Sequence, residues 1–315
     1  MGVNATFSLV NVTNDTCSSG YTERLHLDTD QMYGLVVLNT LGMLFGILSN
    51  ITVICVIKNL SVRKNPSMML MLMLAFSDMG VNLITVPLNI SLYCTVIAKS
   101  YFCSLDVAME FFAVFFGHSS AYITAIIGYD RLLRMTHLNA YSEVMSMWKV
   151  YSAVAGTAFL SLIHAGAQIN SIWADNYGIV VLVGSIVDVV LMLLMMTPYL
   201  LLVRVIRRQR QRSNSVNNDI LQDIDHLVNR IAFRIVFAVM VMYSPYVVLS
   251  AIRVLVSRTS PLRQDNTFRV MWCFSHDLTF ASSCVNAIIF ISINPTCKRK
   301  INQICTRRVV PSISP

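Results

Sequence analysis

Seven apolar stretches punctuate the chain, at about residues 33–57, 67–93, 101–131, 149–171, 178–205, 231–254 and 269–292. Each approaches the ~20 residues that a helix needs to cross the hydrocarbon layer of a bilayer. Polar segments separate them. The pattern predicts an all-α fold: a seven-transmembrane helix bundle at 33–294, preceded by a polar tail at 1–32. A short amphipathic helix and tail follow at 295–315.

Composition agrees with a membrane protein. The chain is 55% hydrophobic and only 13% charged, with a mean hydropathy of +0.62. Soluble domains carry about 25% charged residues. The net charge of +8 does not point to nucleic acid, because few of the charges cluster with aromatics on a polar surface. It lies in the loops instead. Counted along the alternating loops, 18 Lys and Arg fall on one side and 6 on the other, out of 24. The positive side faces the cytoplasm, so the tail is expected outside and the C-terminus inside. Three acceptor sequons, at Asn4, Asn11 and Asn14, lie on that outer tail and make it a candidate for glycosylation. No apolar run precedes residue 33, so the first span is expected to act as signal and anchor. The expected location is the plasma membrane, with several passes and contact with lipid.

The eight cysteines are scattered and form no CxxC pair, which argues against a zinc framework. No nucleophile–base pair, metal motif or phosphate loop stands in the polar segments, so no enzyme is expected.

Polar residues inside the spans carry the candidate chemistry, because each needs a partner or a cavity in hydrocarbon. Asp130 and Arg131 close the third span. Asn50, Asp78, Ser120 and Asn286 lie at mid-depth of the first, second, third and seventh. They form either a hydrated pocket for a small cation or interhelical hydrogen bonds. Tyr243 and Pro245 sit in the sixth span, where a proline removes a backbone bond and makes a hinge. Asp106 and Glu110 are one helical turn apart on one face, a candidate site for a divalent cation or a basic ligand group. The alternative leaves Asp106 at the interface and pairs Glu110 with a base such as Arg253. His276 and Asp277 are candidates for an internal pair.

Several short motifs stand one to a span. They are Ser49-Asn50-Ile51-Thr52-Val53, Leu74-Ala75-Phe76-Ser77-Asp78, Asp130-Arg131-Leu132, Pro245-Tyr246 and Ser282-Ser283-Cys284-Val285-Asn286. In this order and at these depths they resemble the rhodopsin-like G-protein-coupled receptors, over about residues 33–305. The resemblance implies a receptor that binds an extracellular ligand and activates a heterotrimeric G protein as the sixth helix moves outward. Arg131 looks like the switch arginine, locked by Asp130 and Asp225 and met by Tyr199 on activation. Asp78, Ser120 and Asn286, with Asn50 nearby, look like an allosteric sodium site. The implied ligand pocket takes in Glu110, Ala113, Val114, Gly117, Tyr243, Tyr246 and His276, and suits a small molecule or peptide, with a cationic one favoured.

The chain also departs from the family pattern. Ala287 and Phe290 replace the proline and tyrosine of the seventh-helix motif, Tyr243 replaces a tryptophan, Leu132 a tyrosine and Leu191 a proline. Ala113 stands where monoamine receptors carry an aspartate, and Phe280 where a retinal-binding lysine would be, so no retinal is expected. The second outer loop has no cysteine for the usual staple, which leaves Cys17, Cys94, Cys103 and Cys273 as disulfide candidates, for example Cys17–Cys273 with Cys94–Cys103. Cys305 is a palmitoylation candidate. A secondary likeness is to the melanocortin-receptor branch, where carboxylates at the positions of Asp106 and Glu110 help hold calcium; its third carboxylate is Leu88 here. A seven-helix transporter or channel, or a non-signalling partner receptor, is the alternative. A transporter's marks, inverted repeats or interrupted helices around a midplane site, are absent from the sequence.

Overall fold

A computed structural model describes residues 11–12, 27–58, 65–136, 141–173, 177–212, 219–256, 260–293 and 299. Seven long helical segments make up the bundle. The first span is α1 (Thr29–Lys58). The second joins α2 (Pro66–Gly80) to α3 (Val86–Ile97) through a π-helical turn at Val81–Thr85. The third is α4 (Cys103–Thr136), and a short α5 (Tyr141–Val144) follows it. The fourth, fifth and sixth are α6 (Met147–Trp173), α7 (Tyr177–Arg212) and α8 (Asp219–Leu255). A short α9 (Pro261–Gln264) leads into the seventh, α10 (Asn266–Ile293). Six of the seven are long and apolar enough to cross a membrane, and the sixth contributes a shorter apolar stretch, Phe237–Arg253.

Local chemistry sets these boundaries. Asn65 caps α2 by accepting from the Ser67 amide at 3.1 Å, with Pro66 in the first turn, where its missing N–H costs nothing. Asp106 in the first turn of α4 and Arg134 in its last complement the helix dipole. The π turn stands just ahead of Pro87. A proline cannot close the i→i−4 ladder, and the wider turn absorbs the break without ending the helix.

The third span occupies the centre and packs against the second, fourth and fifth; the first and the sixth both pack on the seventh. Two buried clusters fill the interior. One, around Val53, Leu74, Ile127, Met195 and Phe290, lies toward the Arg131 end. The other, around Leu92, Tyr93, Met109, Trp272 and Phe280, lies toward the Cys103 end. Ala287 and Phe290, both departures from the family motif, are buried packing residues of the first cluster. Large apolar side chains such as Phe45, Leu48, Phe159, Leu193 and Phe237 cover the outside. An outward-facing apolar belt is costly in water and favourable in lipid.

Three expectations change or fall outside these residues. The fold is helical with one addition: β1 (Asn11–Val12) lies parallel to β2 (Ser100–Tyr101). Of the four disulfide candidates, Cys103 is bridged, and Cys94 and Cys273 are not. Cys94 and Cys273 are thiols, so neither Cys94–Cys103 nor Cys17–Cys273 exists. Cys103 is disulfide-bonded to a partner outside the described residues. The amphipathic tail helix, Cys305, Cys17, Asn4 and Asn14 also lie outside them.

Candidate functional site

Polar groups concentrate at three levels of the bundle. At the Arg131 end, Asp130 is fully buried on α4. Ser67 at the start of α2 donates to its Oδ2 at 2.6 Å, and Tyr141 on α5 donates to its Oδ1. Arg131 Nε stands 3.8 Å from Asp130 Oδ2. So both carboxylate oxygens are already occupied by hydroxyls, and the guanidinium is held loosely. Burial first, and then Asp130, push the Tyr141 hydroxyl up to about 12, which keeps it a protonated donor at any physiological pH. Tyr199 of α7 is buried beside Gly128, and its hydroxyl has no partner among the described residues. A Cβ on Gly128 would stand 2.6 Å from the Tyr199 ring, so only glycine lets the tyrosine lie against the third span. Asp225 is in α8, and its side chain lies outside the described residues. Ser67 and Tyr141 were missed by sequence reasoning. A serine at a helix start and a tyrosine in a loop carry no local signal of a carboxylate brought in from another helix.

At mid-depth, Ser120 Oγ donates to Asp78 Oδ1 at 2.7 Å and Asn286 Nδ2 donates to Oδ2 at 3.1 Å. Asn50 is not part of this group. Its amide donates to the carbonyls of Gly46 at 2.9 Å and Ser283 at 3.0 Å, tying the first span to the seventh. Asn82 extends that tie, donating to Asp78 O at 2.7 Å and Ser283 Oγ at 2.8 Å.

Above Asp78 a cavity opens between the third, fourth, fifth, sixth and seventh spans. Glu110, Ala113, Val114, Gly117, Tyr243, Tyr246 and His276 all line it. So do His118, His164, Asp188, Arg253 and Trp272, of which His118, His164 and Trp272 carried no pocket signal in the sequence. Glu110 Oε1 is 4.0 Å from His276 Nε2. Arg253 stacks over the Trp272 ring, 4.5 Å from its centroid. Asp106 is not part of the lining. It is 3% exposed and accepts from Tyr101 at 2.6 Å, so Asp106 and Glu110 do not converge on one cation. No group of three metal-binding side chains occurs among the described residues.

Asp277 lies behind His276 and belongs to the scaffold. It accepts from Asn39 at 2.7 Å, Asn89 at 2.9 Å and Tyr93 at 3.1 Å, with His276 Nδ1 at 3.7 Å. One buried carboxylate thus joins the first, second and seventh spans.

Residues 49–178 match the family described as 7 transmembrane receptor (rhodopsin family). Over that stretch the chain is similar to the rhodopsin family of receptors. No curated protein matches it. That similarity and the six long apolar helices fit a multi-pass membrane protein; the family it resembles is a generally non-enzymatic receptor class, whose partners are in general G proteins and extracellular ligands.

Proposed function

We propose that this receptor sits in the plasma membrane with its tail outside, binds an extracellular ligand in the cavity above Asp78, and activates a heterotrimeric G protein. The arrangement of Arg131 carries the reading. A bare ion pair at this separation is worth roughly 4 kcal/mol at an effective dielectric of about 20, and the cost of burying both charges offsets much of that. A guanidinium 3.8 Å from a carboxylate already bound by two hydroxyls is a contact that a modest bias can break. Outward movement of the sixth helix about Pro245 would free Arg131 for the G protein, with Tyr199 packed close by to receive it. The unpartnered Asn286 Oδ1, Ser120 Oγ and Asp78 form an oxygen set that fits a sodium ion. Such an ion would neutralise the carboxylate and favour the resting bundle.

The decisive test is nucleotide exchange on a panel of G proteins in cells expressing wild type or Arg131→Ala. The wild type is expected to raise exchange, and the variant to lose at least about tenfold of that rise, equal to ~1.4 kcal/mol. Exchange unaffected by the variant, together with a solute flux that survives it, would favour a transporter. A second outcome concerns the lock. Tyr141→Phe removes one donor from Asp130 and leaves Arg131 as the nearest replacement. Ligand-free exchange should then fall roughly threefold, about half the worth of one charge-assisted hydrogen bond. A rise would contradict this account of the pair.

A further inference from the structure

The cavity has a second polar wall, remote from Glu110 and His276, made where the third, fourth and fifth spans meet. His118 Nε2 lies 2.9 Å from Asp188 Oδ1. The His118 and His164 rings stack with centroids 4.3 Å apart. Both Nδ1 atoms are buried and have no hydrogen-bond partner among the described residues. His118 is only 8% exposed, so this is a built site rather than a surface cluster. Asp188 uses one oxygen on His118, and the other takes no hydrogen bond among the described residues. Its side chain keeps 18% exposure toward the cavity, against 6% for Glu110.

Gly184 completes the wall. It lies one turn before Asp188 on the fifth span and lets the fourth span pack close. A Cβ there would stand 3.3 Å from Gln168 Oε1 and 3.8 Å from His164 Nε2. Asp188, Gln168 and His164 line the same cavity, so a carboxylate, an amide and an imidazole share this wall. A protonated primary amine presents three N–H donors from one atom and carries the charge that Asp188 requires. The aromatic faces of Tyr243 and Tyr246 on the same cavity suit a cation or an aryl group beside it. Glu110 is the poorer anchor, because its side chain is the more deeply buried and the Arg253 guanidinium, stacked on Trp272, lines the same cavity with its own positive charge.

We propose that the receptor's ligand is a small molecule bearing a protonated amine, and that the amine is seated at Asp188, on the cavity wall that Gly184, His164 and Gln168 also line. The proposal rests on the ligand-binding reading above, and it moves the cation anchor from Glu110 to the fifth span.

The test uses the full-length receptor in phosphatidylcholine nanodiscs, with the thermal midpoint as readout. The probes are phenylalkylamines with chains of two to six carbons, against 2-phenylethanol and 3-phenylpropanoate as neutral and anionic shapes. At least one amine is expected to raise the midpoint, and neither control shape. Asp188→Asn should weaken that amine by about tenfold or more, the worth of one charge-assisted hydrogen bond. Gly184→Val keeps every charge but crowds the wall one turn from Asp188, and should weaken it similarly. That second variant keeps the test sharp should Asp188→Asn fold poorly. Stabilisation by no amine, by the anion instead, or lost with Glu110→Gln but kept in both fifth-span variants, would overturn the proposal. Amine binding that depends on Asp188 while nucleotide exchange ignores Arg131 would leave this site standing and remove the G-protein reading alone.

Discussion

Asp277→Ala removes roughly 4 kcal/mol of stability and most of the folded receptor. The carboxylate accepts from Asn39, Asn89 and Tyr93, each of them buried, and those donors come from two spans other than its own. Deleting it takes one acceptor from each of three buried groups, Asn39 keeping its bond to the Leu35 carbonyl, at about 1–3 kcal/mol for each donor left unsatisfied. Water entering the space recovers part of that loss, which is why the expected total is well below the sum. Against a total stability of about 5–15 kcal/mol the variant would be marginal. Asp277→Asn should cost about half as much, since one amide oxygen still accepts. Purification yield and thermal midpoint read the effect. A midpoint within about 2 °C of wild type for the alanine variant would show that the carboxylate is not the tie described here.

The second large effect is expected from Gly46→Leu. Any side chain on Gly46 would overlap the Asn82 amide. Asn82 holds the second span to Ser283 of the seventh, and Asn50 bonds both the Gly46 carbonyl and that of Ser283. Overpacking costs about 1–3 kcal/mol, and the displaced amide adds the loss of its two hydrogen bonds. A loss of roughly 3–5 kcal/mol follows. Gly42, one turn earlier, supplies the control. Nothing lies within 4 Å of a Cβ there, so Gly42→Leu should change the midpoint hardly at all. Equal behaviour of the two leucine variants would contradict the close-approach argument.

The order and bounds of the spans were legible because a bilayer imposes a length and an apolarity that few other environments demand. The residues facing the cavity from the third, sixth and seventh spans were also legible, since helical spacing and motif register place Glu110, Gly117, Tyr246 and His276 on one side. What escaped were contacts that cross between spans with no fixed spacing. Asp188 and His164 each look like an isolated polar residue in an apolar run, and only the packing of the fourth span on the fifth brings them together. Asp106 illustrates the opposite failure. Its spacing from Glu110 is right for a shared face, yet Tyr101, in the strand pair, takes its carboxylate first. Asn50 likewise shares the depth of Asp78 but bonds to backbone carbonyls instead.

The π turn at Val81–Thr85 has a consequence for how the second span tolerates change in length. One residue more than a regular turn is stored there. Asp78 below it and Asn82 at its start serve the mid-depth ties; above it, Asn89 and Tyr93 reach Asp277. Excising a single residue from that turn would swing the outer half by about 100°, one residue's share of a regular helix. Asn89 and Tyr93 would then turn away from Asp277, while everything toward Arg131 kept its place. The span behaves as two keyed shafts joined by a coupling, and its phase matters more than its length.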